Sequence, residues 1–482
     1  MDICSKLQSI EPQDGFYLLH TDNALIKLCF VTEEIVRIRA SFDKELAEES
    51  YILLTTAWED RLDLLFAGER TRLTPVKAAM KETEDAVFFS TAKVTLRVDR
   101  NPLNFTLCDA DGNILYRALS GCPFVKDSNG RVIAYSEMKE DDCFYGFGEK
   151  AGLLNKNKKF LRERATDAMG YDPEYTDTLY KHVPFYLRLD RDTHKAVGVF
   201  YHNFYESVFN MGCEKSNYWH RYSYFQADGG DIDCFLIGGD TIPRIVDNYT
   251  MLTGRPCLLP KRALGYQASS MYYPELEKDC DDAIYDFVDT IRENDFPLDG
   301  FHLSSGYTSY NNKRCVFTWN TTRFKDPQKY FRTMKEQHAQ NVPNVKPGIL
   351  LCHPYFADFE RAGVFVQDNH DPDAYGVGRW WGGDGAFWDF TSPQARALWK
   401  KYLTDAVIDV GTDSVWNDNC EYDSLMDKDC RCNFDGKGGT IGQLKPLMST
   451  LMCKIGAEAV EEHDKNARPY MVCRSGSAGI QH

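Results

Sequence analysis

"LTGRPCLLPKRALGY", residues 252–266, is where the grammar of the chain changes. Pro256 and Pro260 each remove a backbone donor and fix φ, so neither a helix nor a central strand runs through them. Upstream the chain reads as β. Val94, Leu96 and Val98 alternate with polar residues, as a strand with one buried face requires. "NFTLCDADGNILYRA", residues 104–118, is two short strands around Asp111-Gly112, where glycine accepts the positive φ of a tight turn. "HKAVGVFYHN" and "DIDCFLIGG" continue in the same manner, and nothing before about residue 235 carries a long helical period. These features predict an N-terminal β-sandwich domain over residues 1–255.

Downstream, strands alternate with helices. "ALGYQASS" is a short strand, and the helix after it carries one apolar stripe of Ile284, Phe287, Val288 and Ile291. "LDGFHLSS" and "VKPGILL" read as the next two strands. Ser392 caps a helix with Pro393 at its first position, and Leu398, Trp399, Tyr402 and Leu403 face inward. Gly411 ends that helix, and a strand around Val415-Trp416 follows. A helix through Leu444, Leu447, Leu451 and Ile455 then leads into "RPYMVCRSG". About five alternations predict the first part of a (β/α)8-type barrel over residues 256–482, reaching roughly its fifth strand. The fold class is therefore α/β with β.

The chain has 482 residues, 43% hydrophobic and 13% aromatic, which suits two or three globular domains with large cores. Its formal charge of −16 argues against nucleic acid or an anionic membrane as partner, since both attract basic faces. No run approaches the roughly 20 apolar residues of a membrane span. "MDICSKLQSIEPQDG" has no basic segment followed by an apolar one, so the expected location is cytoplasmic. The sixteen cysteines are scattered and often sit in apolar runs, as reduced core thiols do. Cys430-Arg-Cys432 lacks two further ligands at zinc spacing, so no metal is expected. No cofactor is expected either, because no P-loop, G-x-G-x-x-G or H-E-x-x-H sequence is present.

"SVWNDNCEYD", residues 414–423, sets Asp418 at the C-terminal end of a parallel strand, with Glu421 three residues later. In barrels that rim is where side chains meet substrate. Other strand ends deliver His302 and Ser304 to Gly306, His353, and Arg474, and Trp416 lies on the strand that carries Asp418. The loop "GRWWGGDGAFWDFT" adds Trp380, Trp381, Asp384, Trp388 and Asp389. Tryptophans stack on sugar rings and acids bind hydroxyls, so the set favours a neutral polyol ligand. Taken singly, Trp388 reads as core and His353 as a satisfied structural histidine. Asp413 and Asp423 read as solvated acids.

At these motifs the sequence resembles glycoside hydrolase family 31, which includes retaining α-glucosidases, α-xylosidases and α-galactosidases. The likeness runs from about residue 143 onward. "CFYGFGEK" is similar to the family's Y-G-L-G-E segment and "TLYKHVPFYL" to its L-Y-x-x-I-P-F segment. "NYTMLTGRPCLLPKRALGYQASSMYY" resembles the stretch that opens the barrel. "RWWGGDGAFWDFTSPQARALW" resembles the W-P-G-x-x-x-x-P-D-F-T-N-P segment, "VWNDNCEYD" the nucleophile motif W-x-D-M-N-E, and "CRSGSAGIQH" the R-x-x-x-x-G-x-Q segment. The resemblance implies Asp418 as catalytic nucleophile and Glu421 as the glutamate that supports it. It implies Arg474 as a contact to the sugar and to the nucleophile's surroundings, and Trp381 and Asp384 as part of the sugar-site wall. A carboxylate there can form a glycosyl-enzyme that water hydrolyses with retention.

Two departures shape the remaining expectations. The family's W-x-D-I-D is replaced by His302-Leu303-Ser304-Ser305-Gly306, so the aspartates that grip distal hydroxyls are missing. An α-galactoside-type or substituted sugar is expected to compete with plain glucosides unless Asp368, Asp371 and Asp373 supply the lost acids. The family's acid/base motif W-x-G-D does not occur before His482. The chain is then a fragment or truncated product, or another segment completes the barrel. Parallel edges with unpaired backbone groups favour association, and a homo-oligomer is one expected form of it. Beside the hydrolase reading stand an α-glucan transglycosylase or lyase with the same nucleophile, and a non-catalytic carbohydrate-binding remnant.

Overall fold

The computed structural model describes residues 1–46, 50–56, 70–425 and 427–482. The chain divides into two compact units, one of residues 1–256 with 477–482 and one of residues 257–476.

The first unit is built from antiparallel sheets. The largest has eight strands, with Ile232–Ile237 beside Ile35–Ser41 and then Leu25–Phe30 in its middle. A six-stranded sheet runs through Val132–Glu137 and Tyr222–Ala227, and a five-stranded one through Val94–Arg100 and Leu103–Asp109. The expected hairpin pairs Leu103–Asp109 with Ile114–Arg117, and Gly112 takes φ +84° at its turn. Alternate residues point to opposite faces, so Val94, Leu96 and Val98 reach one shared apolar core with Phe89, Phe105, Phe225 and Leu236. Among the described residues the first α-helix is Ile242–Thr253, capped by the Thr241 hydroxyl.

The second unit holds a five-stranded parallel sheet, in the order β1 (Gln267–Ser270), β2 (Gly300–Leu303), β3 (Gln340–Val345), β4 (Ser414–Asn417) and β5 (Tyr470–Cys473). Helix α1 (Cys280–Glu293) lies between β1 and β2, and α2 (Pro327–Glu336) between β2 and β3. Between β3 and β4 comes α3 (Pro393–Leu403), and between β4 and β5 α4 (Ile441–His463). Ser392 does cap α3, and a π-helical turn at Thr404–Ile408 extends it towards Gly411, which sits at φ +126°.

The two faces of this sheet are chemically distinct. Phe301 and Leu303 pack with Ile284, Val288 and Phe331 in the helix-facing core. The same face carries Asn341, bonded to the Tyr330 hydroxyl of α2 at 2.9 Å, and Cys473, whose thiol reaches the Ser449 carbonyl of α4 at 3.7 Å. Period-two alternation therefore turns His302, Asn344, Trp416 and Tyr470 to the other face. Ring contacts agree: His302 lies 5.9 Å from Trp416 and 6.1 Å from Tyr470, centroid to centroid.

The third strand differs from the expectation. "VKPGILL" is not in the parallel sheet; its Gly348–Leu350 pairs antiparallel with Gly383–Phe387. The parallel strand is the preceding "QNVPNV", which holds Pro343 opposite Leu303 and pairs with both β2 and β4. Proline argues against a central strand and the apolar run after it imitates one, so the reading slipped by several residues.

Candidate active site

The slip matters because it changes which residue stands at the rim. The register Val345↔Asn417↔Cys473 places the next residues of β3, β4 and β5, Lys346, Asp418 and Arg474, side by side on the polar face. The sheet thus presents cation, anion, cation. Asn344 of β3 sits one pleat below.

Asp418 is only 7% exposed. Its Oδ2 accepts a bond from Asn344 Nδ2 at 3.0 Å and a short charge-assisted bond from Lys346 Nζ. Its Oδ1 has no hydrogen bond and faces Arg474 Nη1 at 3.2 Å. Burial pushes the carboxyl up, but Lys346 and Arg474 together outweigh it and hold Asp418 below the ordinary carboxylate range. Oδ2 is tethered by two donors, while Oδ1 is ion-paired with Arg474 but takes no hydrogen bond. That is the arrangement a carboxylate nucleophile needs.

Glu421 does not touch Asp418 through any hydrogen bond among the described residues. It grips Arg474 with two parallel bonds, Nε to Oε1 at 2.8 Å and Nη2 to Oε2 at 2.5 Å. This fork fixes the guanidinium against Asp418, so Glu421 acts by positioning Arg474. Burial raises the Glu421 carboxyl, and Arg474 offsets part of that rise. The turn that presents both acids uses left-handed backbone at Asn419 (φ +48°) and Tyr422 (φ +61°). Asparagine tolerates that conformation, and Tyr422 is held by its hydroxyl bond to the Trp388 carbonyl at 2.5 Å.

Lys346 escaped the sequence reading, as did Asn344. Nothing about "NVKPG" marks a site until "QNVPNV" is recognised as the strand, after which Lys346 aligns with Asp418. Burial pulls the ammonium down, and the Asp418 charge resists that fall. A second bond, to Asn419 Oδ1, leaves its third N–H without an acceptor among the described residues.

Other candidates fall differently. His302 is on the polar face between Trp416 and Tyr470, and burial takes its pKa down to about 4, so it is neutral near pH 7. Its Nε2 is buried and unbonded. Ser304 is buried just beyond β2, at the start of the 3-10 turn Ser305–Thr308. His353 is a correction. It follows the antiparallel strand, donates from Nε2 to the Val316 carbonyl at 2.8 Å, and accepts at Nδ1 from the Tyr355 amide at 3.1 Å. With both nitrogens bound to backbone it has nothing left for a ligand.

The tryptophan-rich stretch is also not a loop. Val377–Trp380 and Gly383–Phe387 form a hairpin in which Arg379 opposes Asp384. The Trp380 ring lies over Gly348 and Gly385, where any side chain would collide with it. Trp381 is 47% exposed, with the Arg314 guanidinium 5.7 Å from its ring, and Asp384 is exposed. Among the described residues no hydrogen bond or ion pair joins either residue to Asp418. Trp388 is core, bonded to the Ala395 carbonyl at 2.9 Å, and Asp389 is spent on Thr391 and on the Asn433 amide. Asp371 and Asp373 are exposed and Asp368 is half-buried, and Asp368 and Asp371 accept from amides of their own turn. Asp413 and Asp423 are not free solvated acids. Asp413 takes bonds from Arg262 and from Gln340 at 3.0 Å, and Asp423 from Lys445 at 2.8 Å. Among the described residues no His/Cys/Asp/Glu group could hold a metal ion, and no cysteine is in a disulfide.

Comparison with known proteins gives these positions a context. Residues 256–482 match the glycosyl hydrolases family 31 TIM-barrel domain, and residues 25–210 the glycosyl hydrolase 31 N-terminal galactose mutarotase-like domain. Alpha-glucosidase 2 of Bacillus thermoamyloliquefaciens is 28% identical over 486 residues, spanning 96% of this chain and 56% of that protein. An isomaltosyltransferase of Sporosarcina globispora is 24% identical, over 68% of this chain and 32% of its own length. A Flavobacterium johnsoniae dextranase solved with glucose superposes on the whole chain with a TM-score of 0.86 at 22% identity, using 56% of the dextranase. The chain thus spans about half the length of the α-glucosidase it matches. Two family domains in the expected order, over a unit of antiparallel sheets and a parallel strand–helix unit, leave one conclusion: this chain belongs to glycoside hydrolase family 31.

Proposed function

We propose that the chain carries the nucleophile and sugar-site half of a retaining α-glycoside hydrolase, with Asp418 forming a covalent glycosyl-enzyme. The observation that carries this reading is the asymmetry of the Asp418 carboxylate. Its Oδ2 is fixed by Asn344 and Lys346, whereas the buried Oδ1 has no hydrogen bond and lies 3.2 Å from Arg474 Nη1. In the first half-reaction Oδ1 bonds to the anomeric carbon as the glycosidic C–O bond breaks, and an acid protonates the departing oxygen. In the second, water replaces Oδ1 and returns the carboxylate. We take the five parallel strands as the opening part of an eight-stranded barrel, and the acid as a residue outside those assigned here.

The match to an isomaltosyltransferase supports a second reading, in which a sugar hydroxyl replaces water in the second step. Both share the intermediate and differ only in acceptor. An α-glycosyl fluoride tests the shared part, because fluoride leaves without a proton. Given to the 482-residue chain and followed by proton NMR, it should yield the α-anomer first. A β-anomer first would mean inversion and would defeat the proposal; an oligosaccharide product would select the transferase reading.

A further inference from the structure

Lys346 is a buried ammonium, 7% exposed in its side chain, set directly beside the reacting carboxylate. Burying a charge is unfavourable unless it is paired, and the fold places its pair at the one oxygen of Asp418 that does not attack. We propose that Lys346 is the positioning residue that sets how fast the glycosyl-enzyme breaks down, holding Oδ2 so that Oδ1 attacks and stabilising the carboxylate as it departs. This rests on the reading of Asp418 as nucleophile.

The charges argue the direction. Around the rim stand Lys346 and Arg474, both positive, and Asp418 and Glu421, both negative. Before reaction they sum to zero. Once Asp418 is an ester, one positive charge is in excess beside it. In the second step the acceptor bonds to the anomeric carbon, the bond from that carbon to Oδ1 breaks, and its electron pair stays on Asp418. A positive charge and a second donor, Asn344, already wait on Oδ2 to receive the charge that spreads over the carboxylate. The same donors lower the basicity of Asp418 and so restrain it in the first step. Lys346 therefore shifts the balance between the two half-reactions rather than speeding both.

The experiment uses the full chain and a ring-fluorinated α-glycosyl fluoride. The bond to Oδ1 forms as fluoride leaves, no acid being required. Excess reagent is removed and azide is added, an anionic acceptor that needs no general base. Mass spectrometry of the intact chain follows loss of the label. Lys346→Met should lengthen the labelled lifetime about tenfold or more, the worth of one charged hydrogen bond. Lys346→Arg should restore most of the rate. Asn344→Ala, which removes only the neutral donor, should lengthen the lifetime by a smaller factor, and it keeps the test alive if Lys346→Met does not fold. A merely structural lysine would leave the lifetime of folded variants unchanged; that result in both Lys346→Met and Asn344→Ala would overturn the proposal. A wild-type label found on a residue other than Asp418 would instead overturn the underlying reading.

Discussion

At the scale of the residue, two cations facing one carboxylate determine the behaviour of Asp418. Because Lys346 and Arg474 hold it below the ordinary carboxylate range, it is ionised across the neutral range, as the proposed nucleophile has to be. Asp418→Asn keeps the shape and removes the charge; kcat should fall by several orders of magnitude, checked on an activated aryl α-glycoside. Glu421→Gln acts only through Arg474, so its loss should be smaller and should be shared by Arg474→Lys, which cannot form the fork. Sugar preference is the second question at this scale. The acids expected to replace the missing aspartates sit in an exposed turn, and the polar face offers neutral His302 and the donors Lys346 and Asn344 instead. A site poor in distal acids loses charge-assisted bonds to glucoside hydroxyls. On a panel of aryl α-glycosides, α-galactoside or substituted sugars should match or exceed α-glucoside. A strong α-glucoside preference would show that some other group supplies the missing grip.

At the scale of the element, Asp413 shows how a strand end is secured. It joins Arg262, ahead of β1, and Gln340 of β3 to the start of β4. Asp413→Ala should lower stability by about 1–2 kcal/mol by removing these bonds, discounted for partial exposure, in a urea titration. The sequence read it as a solvated acid because a lone aspartate before a strand carries no sign of its partners. The same distinction runs through the rest of the second unit. α1, α3 and α4 were legible because their apolar spacing, and in α3 the Ser392 cap, are local properties, and β4 and β5 because β-branched and aromatic residues fill them. β3 was not, since Asn341, Pro343 and Asn344 are chosen for the site and for a helix hydroxyl rather than for strand propensity. That single misreading gave His353 the place that belongs to Lys346. Asp418, Glu421 and Arg474 were legible through their motifs, but the bond between Glu421 and Arg474 is a fact of three dimensions.

At the scale of the whole molecule, buried histidines and acids set the response to pH. In the first unit His182 is fully buried, its pKa taken by burial from 6.5 to about 4. The unfolded chain binds this proton first as pH falls, so stability present above pH 6.5 is lost on the way down to about 4. The loss amounts to about 3 kcal/mol. Glu163, in the same unit, has the opposite sign: burial raises it from 4.5 to about 7, so its contribution is lost as pH rises through that window. The two nearly cancel in the parent chain. His182→Phe should become less stable from pH 4.5 to 7 and Glu163→Gln more stable, in urea titrations at both values; parallel profiles for the two variants would contradict the assignment. The central claim, that Asp418 is the nucleophile of a retaining α-glycosidase, has a more direct test. The full chain is treated with a ring-fluorinated α-glycosyl fluoride, digested and sequenced by mass spectrometry. The account predicts one glycosylated peptide, containing "SVWNDNCEYD", with the sugar on Asp418 and no label in Asp418→Asn. A sugar on any other acid, or labelling undiminished in Asp418→Asn, would contradict it.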